Sequence, residues 1–161
     1  AANERAMGGN IVDLRGIAMD RLEARLDRLE AQAAIADLIN AYARAVRRDE
    51  PEQVGALFVP EGTFEVRAGH PDKAEYTVRS RYETPEALVE FLVGQKGGPH
   101  PIPLLHNLMI EVDGDRATAN AMMAAPIYGT DKEVFGEYND SFERRDGRWL
   151  FSGRIYTVFP G

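Results

Sequence analysis

Residues 136–159, GEYNDSFERRDGRWLFSGRIYTVF, decide the fold. Tyr138, Asp140, Phe142 and Arg144 alternate with Glu137, Asn139, Ser141 and Glu143, which is the two-residue period of a strand. Arg145-Asp146-Gly147-Arg148 is a tight-turn signal, and Trp149, Phe151, Ile155 and Phe159 supply the apolar positions of a returning strand. The hairpin therefore has one mixed face. A strand that sets Tyr, Asp and Arg beside Phe is either an edge facing water or the polar wall of a pocket.

Working back toward the N-terminus, the neighbouring segments are also strands. LLHNLMIEV (104–112) is followed by an Asp-Gly-Asp turn, then RATANAMMAAPIY (116–128), a Gly-Thr-Asp-Lys turn and EVFGEYNDSFERR (133–145). GTFEVRA (62–68) and EYTVRSRY (75–82) are earlier strand candidates. The helices come first. Leu22, Leu26, Leu29, Ala33, Ile35, Leu38, Ile39, Tyr42 and Val46 predict one long helix over 20–46. Its first half, MDRLEARLDRLEAQ (19–32), has the look of a short coiled-coil stripe, either a contact for a second subunit or a solvated helix end. PEQVGALF (51–58) reads as a second helix with Pro in its first turn, and Thr84 caps a third, ALVEFLVGQK (87–96). Helices first and antiparallel strands last predict an α+β domain, with the helices covering one face of a curved antiparallel sheet that encloses a cavity. Residues 1–18 read as a flexible N-terminal segment and 19–161 as a single domain.

At 161 residues the chain is long enough for one domain with its own core. A net charge of -7 argues against a nucleic-acid partner, which needs a basic surface to displace counterions. No apolar run reaches the roughly 18 residues of a membrane span. The opening AANERAMGGN lacks the basic-then-apolar order of a signal peptide, so a cytoplasmic location is expected. Zero cysteines exclude disulfides, thiolate catalysis and zinc–thiolate sites. With His70, His100 and His106 spread over loops and a strand, no metal is expected.

Strict alternation along 104–112 places His106 on the face of Leu108, Ile110 and Val112. There it is either a core histidine satisfied by one hydrogen bond or a neutral general base in an apolar cavity. Tyr42 lies on the apolar stripe of the first helix, and Tyr138 shares a face with Asp140 and Phe142; each phenol either packs or polarises a ligand oxygen. Asp140, set between aromatic residues, must be paired or used, and Arg79, Arg81, Arg144 and Arg154 are its candidate partners. Met123 fills the core or lines a nonpolar pocket.

The segments AAIADLINAYARAVRRDEPEQVGALFVPEGTFEV, HNLMIEVDGDRATANAMM and GEYNDSFERRDGRWLFSGR, taken in that order, resemble the SnoaL-like branch of the nuclear transport factor 2-like superfamily. That group includes polyketide cyclases, scytalone dehydratase, hexachlorocyclohexane dehydrochlorinase and, more distantly, ketosteroid isomerase. The resemblance implies a cone-shaped α+β barrel around a hydrophobic pocket, a homodimer or homotrimer, and acid–base chemistry without metal or organic cofactor. Arg47 stands where the dehydratases carry the aspartate of a His–Asp dyad, with Asp49 two residues on, and Pro103 stands where several carry the histidine. The expectation is a cofactor-independent lyase or isomerase acting on a small hydrophobic, cyclic molecule. His106, Asp140 and Tyr42 are the expected catalytic residues, and Tyr138, Arg154, Arg144, Asn107, Phe142 and Met123 the expected substrate contacts. The alternatives are a non-catalytic binding or assembly domain and a role like the small subunit of a ring-hydroxylating oxygenase.

Overall fold

The computed structural model describes residues 4–160. Helix α1 (Glu4–Arg47) is followed by α2 (Pro51–Gly55), β1 (Phe58–Gly69), β2 (Tyr76–Tyr82), α3 (Pro85–Gln95), β3 (Leu104–Asp113), β4 (Arg116–Pro126), β5 (Glu133–Arg145) and β6 (Arg148–Val158). The first helix begins at Glu4 rather than near residue 20. Of the N-terminal segment expected to be loose, residues 1–3 lie outside the described residues. The expected second helix stops at Gly55 because Leu57 and Phe58 are drawn into the sheet: the Phe151 N–H donates to the Leu57 carbonyl, and Phe58 pairs with Phe151.

The six strands form one curved sheet in the order β2-β1-β6-β5-β4-β3. It is mixed rather than wholly antiparallel, because β1 and β6 run parallel. These two strands are far apart in sequence, so no tight turn dictates their relative direction. The sheet does not close. Register shifts at Val66/Arg67, His106/Met109 and Ser141/Phe142 bend the strands and give the sheet a concave face. At the Asp146-Gly147 turn both residues have positive φ, 51° and 75°, as a two-residue hairpin requires.

Ala31, Ile35, Leu38, Ile39 and Tyr42, spaced three and four apart, bury one stripe of α1 on the concave face. Phe58, Phe142 and Phe151 form the packed end of that interior, with Phe151 centred 5.0 Å from Phe58 and 4.9 Å from Phe142. α3 opens as its sequence predicts, with the Ala87 N–H donating to Thr84 Oγ1 at 3.3 Å. Among the described residues no helix is long and apolar enough to cross a membrane.

Candidate functional site

Between the packed Phe end of the sheet and helices α2 and α3 lies a cavity of about 420 Å³. Its interior wall is apolar, with Val54, Phe64, Val66, Leu88, Leu92 and Met123, and four phenols enter it from Tyr42, Tyr82, Tyr138 and Tyr156. Charged and polar groups gather around Asp49, Glu50, Arg79, Ser80, Gln95 and His100. A mostly apolar concavity with a few convergent polar groups has the make-up of a small-molecule site.

Three of these phenols, those of Tyr42, Tyr138 and Tyr156, are held protonated. Burial pushes the Tyr42 hydroxyl up to about 12, with the positive charge of Arg154 pulling the other way. Tyr138 is raised well above its ordinary value, first by burial and then by Tyr42. Tyr156 is also pushed up to about 12 by burial and by Tyr42, against the pull of Arg79. Buried neutral phenols make hydrogen-bond donors rather than nucleophiles.

Beneath them sits a buried ion pair. Arg154 Nε and Nη2 donate to Asp140 Oδ1 and Oδ2, each at 2.7 Å, and both side chains are wholly buried. Burial would lower Arg154, but the attraction and hydrogen bonds of Asp140 outweigh it and raise it. The guanidinium carbon lies 3.8 Å from the Tyr138 ring centre, 4.1 Å from Tyr42 and 4.6 Å from Phe151. Among the described residues Nη1 has no hydrogen-bond partner, and the π faces of these rings offer the cation its remaining compensation. The pair thus fixes the two tyrosines from behind. Both Asp140 oxygens are committed to Arg154, and neither Arg79 nor Arg81 is its partner: Arg79 lines the cavity, and Arg81 binds Glu65 at 2.7 Å.

Asp49 reaches the cavity through the way α1 ends. The Asp49 N–H donates to the Val46 carbonyl and the Glu50 N–H to the Ala45 carbonyl, a Schellman closure with Asp49 at the left-handed position usually taken by glycine. Its φ of 55° turns the side chain toward α3, where Oδ2 accepts from the Gly97 N–H at 2.7 Å. Among the described residues no hydrogen bond occupies Oδ1. His100 lines the same space, with Nδ1 2.9 Å from the Gly98 carbonyl and Nε2 3.2 Å from the Arg47 carbonyl. Its ring lies against Tyr128 and ties the β3 approach to the end of α1.

Of the residues expected from sequence, the cavity collects Tyr42, Tyr138 and Met123, with Asp140 and Arg154 directly behind. His106 is elsewhere. Leu105 pairs with Met123 and His106 with Met122, but Asn107 and Leu108 together oppose Ala121, so that Met109 meets Asn120 and Ile110 meets Ala119. This bulge, with Asn107 at φ 54°, inverts the alternation. His106 is consequently exposed, on the face opposite Ile110 and Val112, in a surface groove with Asn40, Arg44 and Arg47. Asn107 is exposed at the bulge itself. Arg144 binds Asp27 and Asp115, each at 2.7 Å, and clasps α1 to the last hairpin. Phe142 packs against Phe151 in the core. Tyr82, Tyr156, Arg79 and His100 also line the cavity, beyond the site residues expected from sequence. Tyr156 carried a signal, since it shares strand parity with Arg154.

A family model described as a SnoaL-like domain matches residues 27–155. No curated protein matches the chain. Among solved structures, a proposed aromatic-ring-hydroxylating dioxygenase beta subunit from Novosphingobium aromaticivorans superposes with a TM-score of 0.71 at 23% identity, covering 83% of this chain and 92% of that one. A proposed scytalone dehydratase from the same organism gives 0.65 at 22%, over 81% and 85%. An NTF2-like protein with a cystatin-like fold, also from that organism, gives 0.65 at 22%, over 85% and 87%. At these identities the likeness is one of fold.

Proposed function

The chain belongs to the SnoaL-like domain family, and from that premise we propose a cofactor-independent lyase or isomerase acting on a small hydrophobic, ring-bearing substrate with a carbonyl or comparable oxygen. The observation that carries this reading is the convergence of Tyr42, Tyr138 and Tyr156, all held neutral, on an apolar cavity lined also by the half-buried carboxylate of Asp49; the other carboxylate there, Glu50, is engaged with Arg48.

In this account the substrate ring lies among Val54, Phe64, Leu88 and Leu92, and its oxygen accepts from the tyrosine hydroxyls. Asp49 Oδ1 takes a proton from the carbon next to the carbonyl, and the C–H electron pair moves into an enolate whose oxygen the phenols stabilise. Return of the proton to another carbon completes an isomerisation; departure of a β substituent with its bonding electrons completes an elimination. Asp140 and Arg154 act as positioning residues for Tyr42 and Tyr138. Asp49 takes the role expected of His106, whose side chain is exposed and lies outside the cavity.

A second reading, a non-catalytic binding domain with the same cavity, is favoured by the setting of His100, whose ring is held between two backbone carbonyls, Nδ1 2.9 Å from that of Gly98 and Nε2 3.2 Å from that of Arg47. The two readings share a ligand class and differ in turnover. A panel of cyclic ketones, enones and phenols, followed by tyrosine fluorescence and by product analysis, tests both. Binding weakened by Tyr138→Phe supports the cavity as the site. Equal binding by the wild type and a cavity-filling Val54→Trp variant would refute it.

A further inference from the structure

From Leu14 to Glu30 every side chain of α1 is exposed. Met19, Leu22, Leu26 and Leu29 are 56, 58, 54 and 61% exposed, and their three- and four-residue spacing is that of a heptad seam, with Met19 and Leu26 at a and Leu22 and Leu29 at d. The contacts that α1 makes with its own domain are on its other side. Asp27, bonded to Arg144, and the buried Ala31 and Ile35 lie about half a helical turn from the seam. The apolar line ends where the domain begins: after the small Ala33, the same side carries the exposed Asp37 and Asn40.

The charges flanking the seam select its occupant. Arg25 is at g, Glu23 and Glu30 are at e, and Ala18 is at the preceding g. When two copies of this helix run parallel, each g residue faces the e residue of the next heptad. Arg25 then meets Glu30 of the partner subunit on both sides of the seam, and Glu23 meets only an alanine. Run antiparallel, e faces e, and the glutamates oppose one another. We infer that the exposed arm of α1 pairs in parallel with the same arm of a second copy, as a short two-stranded coiled coil centred on Leu22, Leu26 and Leu29. This contact involves neither the cavity nor the sheet, and a seam this short makes the pairing concentration-dependent.

Sedimentation velocity of the full chain over a concentration series is expected to give twice the chain mass at high concentration. The double substitution Leu22→Glu/Leu26→Glu is expected to weaken association at least tenfold while the circular dichroism of the domain is retained, since these side chains are exposed. Orientation is tested by oxidative crosslinking, for which the absence of cysteine leaves a clean background. Met19→Cys and Leu29→Cys chains, mixed, should each crosslink only to their own kind. A monomer at every concentration, a dimer indifferent to Leu22→Glu/Leu26→Glu, or crosslinks between position 19 and position 29 would each overturn the proposal.

Discussion

Asp140 and Arg154 face each other across β5 and β6 in a bidentate pair with two 2.7 Å hydrogen bonds, fully buried beneath the rings of Tyr42 and Tyr138. Each charge is tolerable only because of the other. Asp140→Ala leaves an uncompensated guanidinium and is expected to destabilise the fold by about 3–5 kcal/mol. The apolar double replacement Asp140→Leu/Arg154→Met should cost less than either single change. Urea midpoints for the three variants check this; additive losses would show that the two residues do not act as a pair.

The raised phenols give the fold an alkaline limit. Their folded values lie above the unfolded value of about 10, so the folded state binds more protons in that range. The stabilisation is fully present below pH 10 and is lost as pH rises toward 12. A spectrophotometric titration should show tyrosines that ionise late and together with unfolding, and Tyr138→Phe should reduce their number. Titration of all the tyrosines near pH 10 with the fold intact would contradict the burial argument.

Gly136 marks a close approach of β5 to β6 beside the cavity residue Tyr156. A Cβ at this position would collide with the Thr157 carbonyl oxygen and stand 2.9 Å from the Tyr156 ring. Gly136→Ala is expected to cost about 1–3 kcal/mol through backbone displacement and to weaken ligand binding by moving Tyr156. Thermal unfolding and ligand titration of the same variant measure the two effects.

Most of this architecture was legible in the sequence. The β5–β6 hairpin was legible to within a residue at its ends because its alternation and Asp-Gly turn are both local signals, although the register shift that buries Arg154 in place of Ile155 was not. The long helix was legible in its buried half, where Ile35, Leu38, Ile39 and Tyr42 keep helical spacing. The site was less so. A single bulge at Asn107 reverses the inside and outside of β3, and no residue type in LLHNLMIEV announces it. Asp49 enters the cavity only because an aspartate occupies a left-handed helix terminus, which is a property of backbone geometry. His100 and Arg79 meet the tyrosines through tertiary contacts between elements far apart in the chain.

His106 and Asp49 can be separated by substitution. His106→Ala is expected to leave ligand binding and turnover within about twofold of wild type, because its side chain faces outward. Asp49→Gly is expected to keep stability within about 1 kcal/mol, since glycine suits the left-handed position, while removing turnover. Steady-state rates beside thermal melts distinguish a lost base from a lost fold.

Elimination and isomerisation both begin with removal of a proton next to a carbonyl, so exchange of that proton into deuterium oxide tests the central claim most directly. With a cyclic ketone that binds the cavity, followed by proton NMR, the wild type and His106→Ala are predicted to exchange the α-proton faster than buffer alone. Asp49→Asn should bind the same ketone and exchange at the buffer rate. Exchange unchanged in Asp49→Asn, or its loss in His106→Ala, would contradict the account.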